Sequence, residues 1–249
     1  MSGIPKIIHR IWLGPKPVPD DYQAWWEAWQ RQLPDYEFVT WTDSDIAKLG
    51  PAGDKVAEGR NFAEKSDIAR YEIIRQFGGV YLDCDVMPLY RLDFSAQNCD
   101  FLHNICVAEE YDNDDGSKRT SIGCGNEFFA ATPNHPALIN ASERIQQTEF
   151  PAESRYIDTV QRSGPIFWSE SVLNNGVDQG VPLPVSAFTA YRYDEPFSTI
   201  YERDLRDSYG IHVWGNSWVP HDFQKQKLDR LYQYGDIRAI EAVLPKTGL

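Results

Sequence analysis

The chain has 249 residues, 42% hydrophobic and 24% charged, with a net charge of -13. That length buries a sizeable core as one domain, and the composition is that of an ordinary globular protein. The acidic balance argues against nucleic acid as a partner, since phosphates need a basic footprint, and against broad docking on anionic lipid.

Strand-like residues follow Met1-Ser2-Gly3 directly, so neither a signal peptide nor a membrane-spanning run of about 18 apolar residues is expected. A cytoplasmic protein is expected, with membrane contact at most peripheral, at the inner face. Cys84, Cys99, Cys106 and Cys124 form no C-x-x-C pair and are expected as free thiols.

Lys6 to Leu13 reads as a first strand, ending at Gly14-Pro15. Tyr22, Trp25, Trp26, Trp29 and Leu33 then recur at helical spacing, with Asp20 or Asp21 as the cap. That aromatic stripe reads as core or subunit contact. An interfacial membrane helix is the alternative, although its polar face lacks the expected Lys and Arg. Glu37 to Trp41 is a second strand, and Thr42-Asp43-Ser44 caps a short helix ending at Gly50-Pro51. Ala63 to Phe77 sets Ile68, Tyr71, Ile74 and Phe77 on one helical face, and Gly78-Gly79 ends it. A buried strand follows over Val80 to Val86, then another over Phe101 to Ala108. Glu109 to Lys118 reads as a solvated acidic loop. Asn126 to Ala131 is a strand, and helices run from about His135 to Gln147 and from Gly164-Pro165 to about Leu173. Residues 176–200, with Pro182, Pro184 and Pro196, read as irregular, and about His221 to Leu244 as an amphipathic outer helix. The alternation predicts an α/β fold, a mostly parallel sheet flanked by helices. It forms a single domain over 1–249 with a helical insertion around 135–175.

The sharpest feature is Val80-Tyr81-Leu82-Asp83-Cys84-Asp85-Val86. On a strand, Asp83 and Asp85 leave the same face while Val80, Leu82, Cys84 and Val86 point into the core. Two adjacent carboxylates repel, and a divalent cation resolves the conflict while leaving positions open for phosphate oxygens. Two solvated acids at a strand end are the plainer reading. Upstream, Asp67 and Arg70 are neighbours on one helix surface, either an ordinary ion pair or a grip on ligand hydroxyls.

Ile4-Pro5-Lys6-Ile7-Ile8-His9-Arg10-Ile11-Trp12-Leu13-Gly14, Ser66-Asp67-Ile68-Ala69-Arg70-Tyr71 and Gly78-Gly79-Val80-Tyr81-Leu82-Asp83-Cys84-Asp85 carry a family resemblance. The chain resembles the DXD-containing glycosyltransferases of family 32, which include bacterial capsular and lipopolysaccharide sugar transferases and fungal initiating mannosyltransferases. The clostridial glucosylating toxin domains are more distant relatives. Ile211-His212-Val213-Trp214-Gly215-Asn216-Ser217-Trp218 is similar to the family's C-terminal His and Ser-Trp element.

The resemblance implies a GT-A-like, Rossmann-related domain with a nucleotide-sugar donor at the C-terminal edge of its sheet. It implies retaining transfer of a hexose or N-acetylhexosamine to a glycan or lipid-linked glycan. Manganese or magnesium is expected on Asp83, Asp85 and His212, with Asp85 the direct ligand and Asp83 on sugar hydroxyls or on the metal through water. His212 also reads as a strand histidine satisfied by the core. Asp67 and Arg70 match the family's Asp-x-x-Arg, which binds donor hydroxyls or phosphate. Asn126 resembles an asparagine near the sugar, with Glu127 as the alternative. Trp12 sits where the family places an aromatic against the nucleobase, a core tryptophan being the other reading. Ser217 and Trp218 are expected to donate an O–H and an indole N–H to the diphosphate. The catalytic set is then Arg70, Asp83, Asp85 and Trp218. Trp12 and uridine-using relatives favour a UDP-sugar over a GDP-sugar.

A haloacid-dehalogenase-like phosphatase also places Asp-X-Asp after a strand. There the motif follows the first strand and continues with Gly-Thr, whereas Val86-Met87-Pro88-Leu89 follows here. A non-catalytic sugar-nucleotide or glycan-binding protein of the same fold, and a glycosyltransferase acting on a protein acceptor, are the remaining alternatives.

Overall fold

The computed structural model describes residues 3–90, 99–112, 118–151, 156–173, 180–192, 195 and 197–215, with backbone only for 107–112, 118–121, 156 and 197. Its strands are β1 (Ile7–Ile11), β2 (Glu37–Trp41), β3 (Gly79–Leu82), β4 (Val86–Pro88), β5 (Phe101–Asp112), β6 (Lys118–Ala131), β7 (Val181–Leu183) and β8 (Gly210–His212). Its helices are α1 (Asp20–Gln32), α2 (Asp43–Ile46), α3 (Pro51–Glu58), α4 (Phe62–Phe77), α5 (Pro136–Gln147), α6 (Tyr156–Arg162) and α7 (Pro165–Leu173). The main sheet is six-stranded in the order β2-β1-β3-β6-β5-β7. β6 alone runs against the other strands, so the sheet is mostly parallel. β4 and β8 pair antiparallel in a separate two-stranded sheet.

Alternation along the strands divides the core. Val80 and Leu82 of β3 join Ile8, Phe128 and Ala130 beneath Trp26, Trp29 and Leu33. Tyr81 faces the other way, with Phe129, Ala131 and Phe101, toward Ile68, Tyr71 and Ile74 of α4 and Trp168 of α7. Trp25 joins a third cluster around the small sheet, with Met87, Ile211 and Val213. The aromatic stripe of α1 is therefore core: Trp25, Trp26 and Trp29 are 4%, 6% and 1% exposed, which leaves no membrane face. Among the described residues, no helix is long and apolar enough to cross a membrane.

Several expectations change. Pro19, with no side-chain cap bond, precedes α1, and Asp20 and Asp21 lie inside its first turn, where they face the positive helix end. The helix expected from Thr42 to Gly50-Pro51 is the shorter α2, which opens on a Thr42–Asp45 capping box and ends at Ile46, and a further helix that was not expected, α3, starts where Gly50 (φ 66) leads into Pro51. The acidic stretch is not loop over Glu109 to Asp112 and at Lys118, because the backbone there continues β5 and β6 as a ladder out to Asp112 opposite Lys118; residues 113–117 lie outside the described residues. Within 176–200, β7 adds an edge strand beside β5, where Pro182 is tolerated because no outer neighbour needs its N–H. The short α6 carried no readable signal. The tail expected as a helix from His221 to Leu244 lies outside the described residues.

α4 and β3 are joined with almost no connector. Asn61 caps the start of α4 by accepting from the Glu64 N–H at 2.9 Å. Gly78 (φ 64) and Gly79 (φ 92) then turn the chain straight into the sheet. A Cβ at Gly79 would lie 2.5 Å from the Ile7 carbonyl oxygen, so the close approach of β3 to β1 requires glycine. His9 pins this turn. Its Nδ1 accepts from Trp41 Nε1 at 3.0 Å, which leaves Nε2 to donate to the Gly78 carbonyl, also at 3.0 Å.

Burial pulls the His9 pKa from 6.5 to about 4. The unfolded chain takes up a proton below pH 6.5 that the folded chain refuses until about pH 4. His9 therefore contributes stability above pH 6.5 that is lost as the pH falls through that window. Urea melts should show the wild-type chain losing about 2 kcal/mol more than His9→Gln between pH 7 and pH 5. Equal losses in the two proteins would remove His9 from the account.

Candidate active site

β3 ends at Leu82, so the two aspartates do not share a strand face as expected. The Asp83 N–H makes the last ladder bond to the Glu127 carbonyl at 2.9 Å. The Val86 N–H then reaches back to the Asp83 carbonyl at 3.2 Å, closing a turn that carries Cys84 and Asp85 away from the sheet. The register of the small sheet sets Val86 opposite His212. One ligand atom from each of Asp83, Asp85 and His212 lies within 4.8 Å of the others. Two carboxylate oxygens and an imidazole nitrogen form a donor set that fits manganese or magnesium and leaves positions for phosphate oxygens. The turn achieves by folding what alternation does not.

The two carboxyls differ in their surroundings. Asp85 Oδ2 accepts the Gly215 N–H at 2.7 Å, and Oδ1 lies 3.3 Å from His212 Nε2. Burial works against the charge of Asp85, but His212 and the Gly215 N–H outweigh it and hold its pKa at about 2. Asp83 is pushed upward by burial and by the charge of Asp85, despite Arg70. His212 is raised, its burial outweighed by Asp85. His212 Nδ1 is buried with no hydrogen-bond partner among the described residues, and the Trp214 ring lies 4.1 Å from the imidazole. Trp214 itself takes φ 55, strained for a bulky residue. Between the aspartates, the Cys84 thiol turns inward to the Ile11 carbonyl at 3.3 Å, and burial pushes its pKa up to about 12. All four cysteines are free thiols, though Cys124 alone of them is fully buried.

Behind Asp83 stands Arg70 of α4. Its guanidinium lies 3.2 Å from Asp83 and 3.1 Å from Asp67, donates to the Asn126 carbonyl at 2.6 Å, and covers the Tyr81 ring. The Tyr81 hydroxyl donates to Asp83 Oδ1 at 2.6 Å. Asp67 accepts from Asn126 Nδ2 at 2.8 Å and from the Ser163 hydroxyl at 2.9 Å, and burial raises its pKa to about 6. Asp67 and Arg70 are 5% and 4% exposed, and protein groups surround them. In this structure they position Asp83 and Asn126.

Trp12 lies just past β1, its Nε1 donating to the Lys16 carbonyl at 2.7 Å and its ring set edge-on to Tyr22. Tyr22 stacks on Trp25 and closes over Gly215, where a Cβ would lie 2.1 Å from the Tyr22 hydroxyl. Tyr22 thus links Trp12 to the Asp85 loop, a role hidden in the sequence because it is one more aromatic of the α1 stripe. Tyr81 and Ser163 are likewise hidden in the sequence: Tyr81 reads as one more strand residue of the motif, and no pattern marks Ser163. Ser217 and Trp218 lie outside the described residues.

Arg70→Ala would leave the buried Asp67 and the half-buried Asp83 without their shared cation and should cost about 3–5 kcal/mol in urea unfolding at pH 7. A cost under about 1 kcal/mol would show that the network is not what holds this corner together.

Residues 19–104 match the family described as glycosyltransferase sugar-binding region containing DXD motif. The chain is similar to inositol phosphoceramide mannosyltransferase 1 of Schizosaccharomyces pombe, 25% identical over 234 residues, covering 88% of this chain and 63% of that protein. It is similar to the mannosyl phosphorylinositol ceramide synthase SUR1 of Saccharomyces cerevisiae, 27% identical, covering 67% of this chain and 41% of that one. An uncharacterized glycosyltransferase of Acanthamoeba polyphaga mimivirus is 22% identical, with 88% and 85% covered. The chain spans 63% and 59% of the length of the first two fission-yeast relatives. Among solved structures, the PaToxG glycosyltransferase overlays 93% of this chain and 86% of its own at a TM-score of 0.47 and 15% identity. The match to this sugar-binding region runs across α1 to the start of β5, and over that stretch the chain resembles the DXD-containing glycosyltransferases.

Proposed function

We propose that the chain transfers a hexose from a metal-bound nucleoside diphosphate sugar to a hydroxyl of a glycolipid or lipid-linked glycan. The observation that carries this reading is the convergence of Asp83, Asp85 and His212 within 4.8 Å at the end of β3. Manganese or magnesium bound there supplies counter-charge to the departing diphosphate. Asp85, held anionic, is the stronger ligand, while Asp83 has one oxygen engaged by Tyr81 and Arg70. Asn126, fixed by its bond to Asp67, presents the remainder of its amide to the sugar. Trp12 is the face for the nucleobase, and Ser217 and Trp218 are donors to the diphosphate. The names of the mannosyltransferase relatives support mannose as the hexose and an inositol phosphoceramide-like headgroup as the acceptor. Retention of anomeric configuration and a peripheral approach to the membrane belong to the same reading.

Donor binding should depend on the metal. Calorimetry of UDP and GDP with manganese and with chelator tests this, and equal affinity in both conditions would remove the metal from the reading. Asp85→Asn should cost about 2–4 kcal/mol of transition-state stabilisation, and more than Asp83→Asn, while both variants stay folded.

The nucleobase is decided by competition. If mannose is transferred, GDP-mannose should displace a fluorescent nucleotide better than UDP-glucose. A clear uridine preference would instead bear out the expectation drawn from Trp12 and turn the reading to a different hexose.

A further inference from the structure

The β5–β6 ladder breaks where it passes the site. His103 pairs with Phe129, yet the next residue, Asn104, pairs with Gly125, so Asn126, Glu127 and Phe128 bulge against a single step of β5. A bulge frees side chains from strict alternation. Asn126 turns to Asp67 on the α4 side, and Glu127 meets Asn104, whose Nδ2 donates to Glu127 Oε1 at 2.5 Å. Oε2 lies over Gly125, where a Cβ would come within 2.0 Å, so glycine there makes the room this oxygen occupies.

Glu127 is 3% exposed, and no lysine or arginine among the described residues pairs with it. A buried carboxylate without a counter-ion is expensive, and a stable fold has no need of one. Its charged neighbours are His212 and Asp83, members of the metal set. Its own carbonyl accepts the Asp83 N–H at 2.9 Å, so the main chain of Glu127 is fixed to the first aspartate of the motif. The amide that holds it adds a second oddity: Asn104 is fully buried, and its Oδ1 has no partner among the described residues. The bulge therefore delivers a carboxylate that is neither a metal ligand nor part of an ion pair to the side of the site opposite Asn126.

We propose that Glu127 is the nucleophile of glycosyl transfer, which rests on the nucleoside diphosphate sugar reading above. The Glu127 carboxylate attacks the anomeric carbon, and the bond from that carbon to the diphosphate oxygen breaks with its electron pair leaving on the diphosphate. A glycosyl ester of Glu127 results. The acceptor hydroxyl then attacks the same carbon and displaces the carboxylate, and its proton passes to the diphosphate oxygen. Two inversions return the original configuration. Asn104 is a positioning residue that fixes one oxygen of the nucleophile and leaves the other to react.

The test uses the full chain with manganese and either GDP-mannose or UDP-glucose, following nucleotide release, donor binding by calorimetry, and products by mass spectrometry. Thermal melts confirm that Glu127→Ala and Glu127→Gln are folded. Both variants should lose more than about a hundredfold in kcat while donor affinity stays within about threefold. Sodium azide should restore nucleotide release to Glu127→Ala, giving a glycosyl azide inverted relative to the donor, the same configuration as the expected ester, and should not rescue the bulkier Glu127→Gln. Wild-type turnover with little loss in Glu127→Ala, or a large loss with no glycosyl azide, overturns the role of Glu127 and leaves the enzyme reading intact. A wild-type chain that binds neither donor overturns the enzyme reading and this proposal together.

Discussion

One buried guanidinium organises this site. Arg70 lies between Asp67 and Asp83 and donates to the carbonyl of Asn126, so a single cation tethers a helix, the end of a strand and the bulged neighbour strand. Without it, Asp67, Asp83 and Asp85 would crowd one corner with no fixed positive charge nearby. Its placement depends on the link from α4 to β3, where two glycines with positive φ turn the helix directly into the sheet and His9 ties the turn to β1. The chemistry thus hangs on packing two elements away from it.

The electrostatics divide labour between the two motif acids. Asp85 is stabilised as an anion by the late His212–Gly215 segment, whereas Asp83 is raised and shares one oxygen with both α4 and β3. A cation arriving there meets one carboxylate already committed to negative charge and one whose charge it would relieve. The same corner uses the bulge in β6 to turn adjacent residues to opposite sides, Asn126 toward α4 and Glu127 toward Asn104.

What the sequence revealed was residue type and period. The helical spacing of α1 and α4 is strong, and both helices lie close to where the pattern puts them. The pairing of Asp83 with Asp85 was legible as chemistry, but the geometric reason was wrong: alternation was assumed through a segment that is a turn. The turn exists because β4 leaves to pair with β8, a partner far along the chain that no local window contains. Acidic residues hid the length of the β5–β6 ladder, and prolines hid β7, because both residue types are depleted from strands. The bulge was invisible for a related reason, since a three-residue irregularity leaves no periodic trace.

The contacts of Asp83 and Asp85 span very different lengths of chain. Arg70 and Tyr81 reach Asp83 from within the same α4–β3 hairpin, and Tyr81 is only two residues away. The Gly215 N–H reaches Asp85 across 130 residues. Closing a loop of that length carries an entropic cost that local contacts avoid, and topologies rich in distant contacts fold more slowly. The acidic half of the site is therefore held largely by contacts close in sequence, while the imidazole is brought to it by the distant pairing of β8 with β4. A divalent ion that bridges both halves would reward the slowest contact in the domain, so its binding strengthens closure of the fold itself as well as preparing the site.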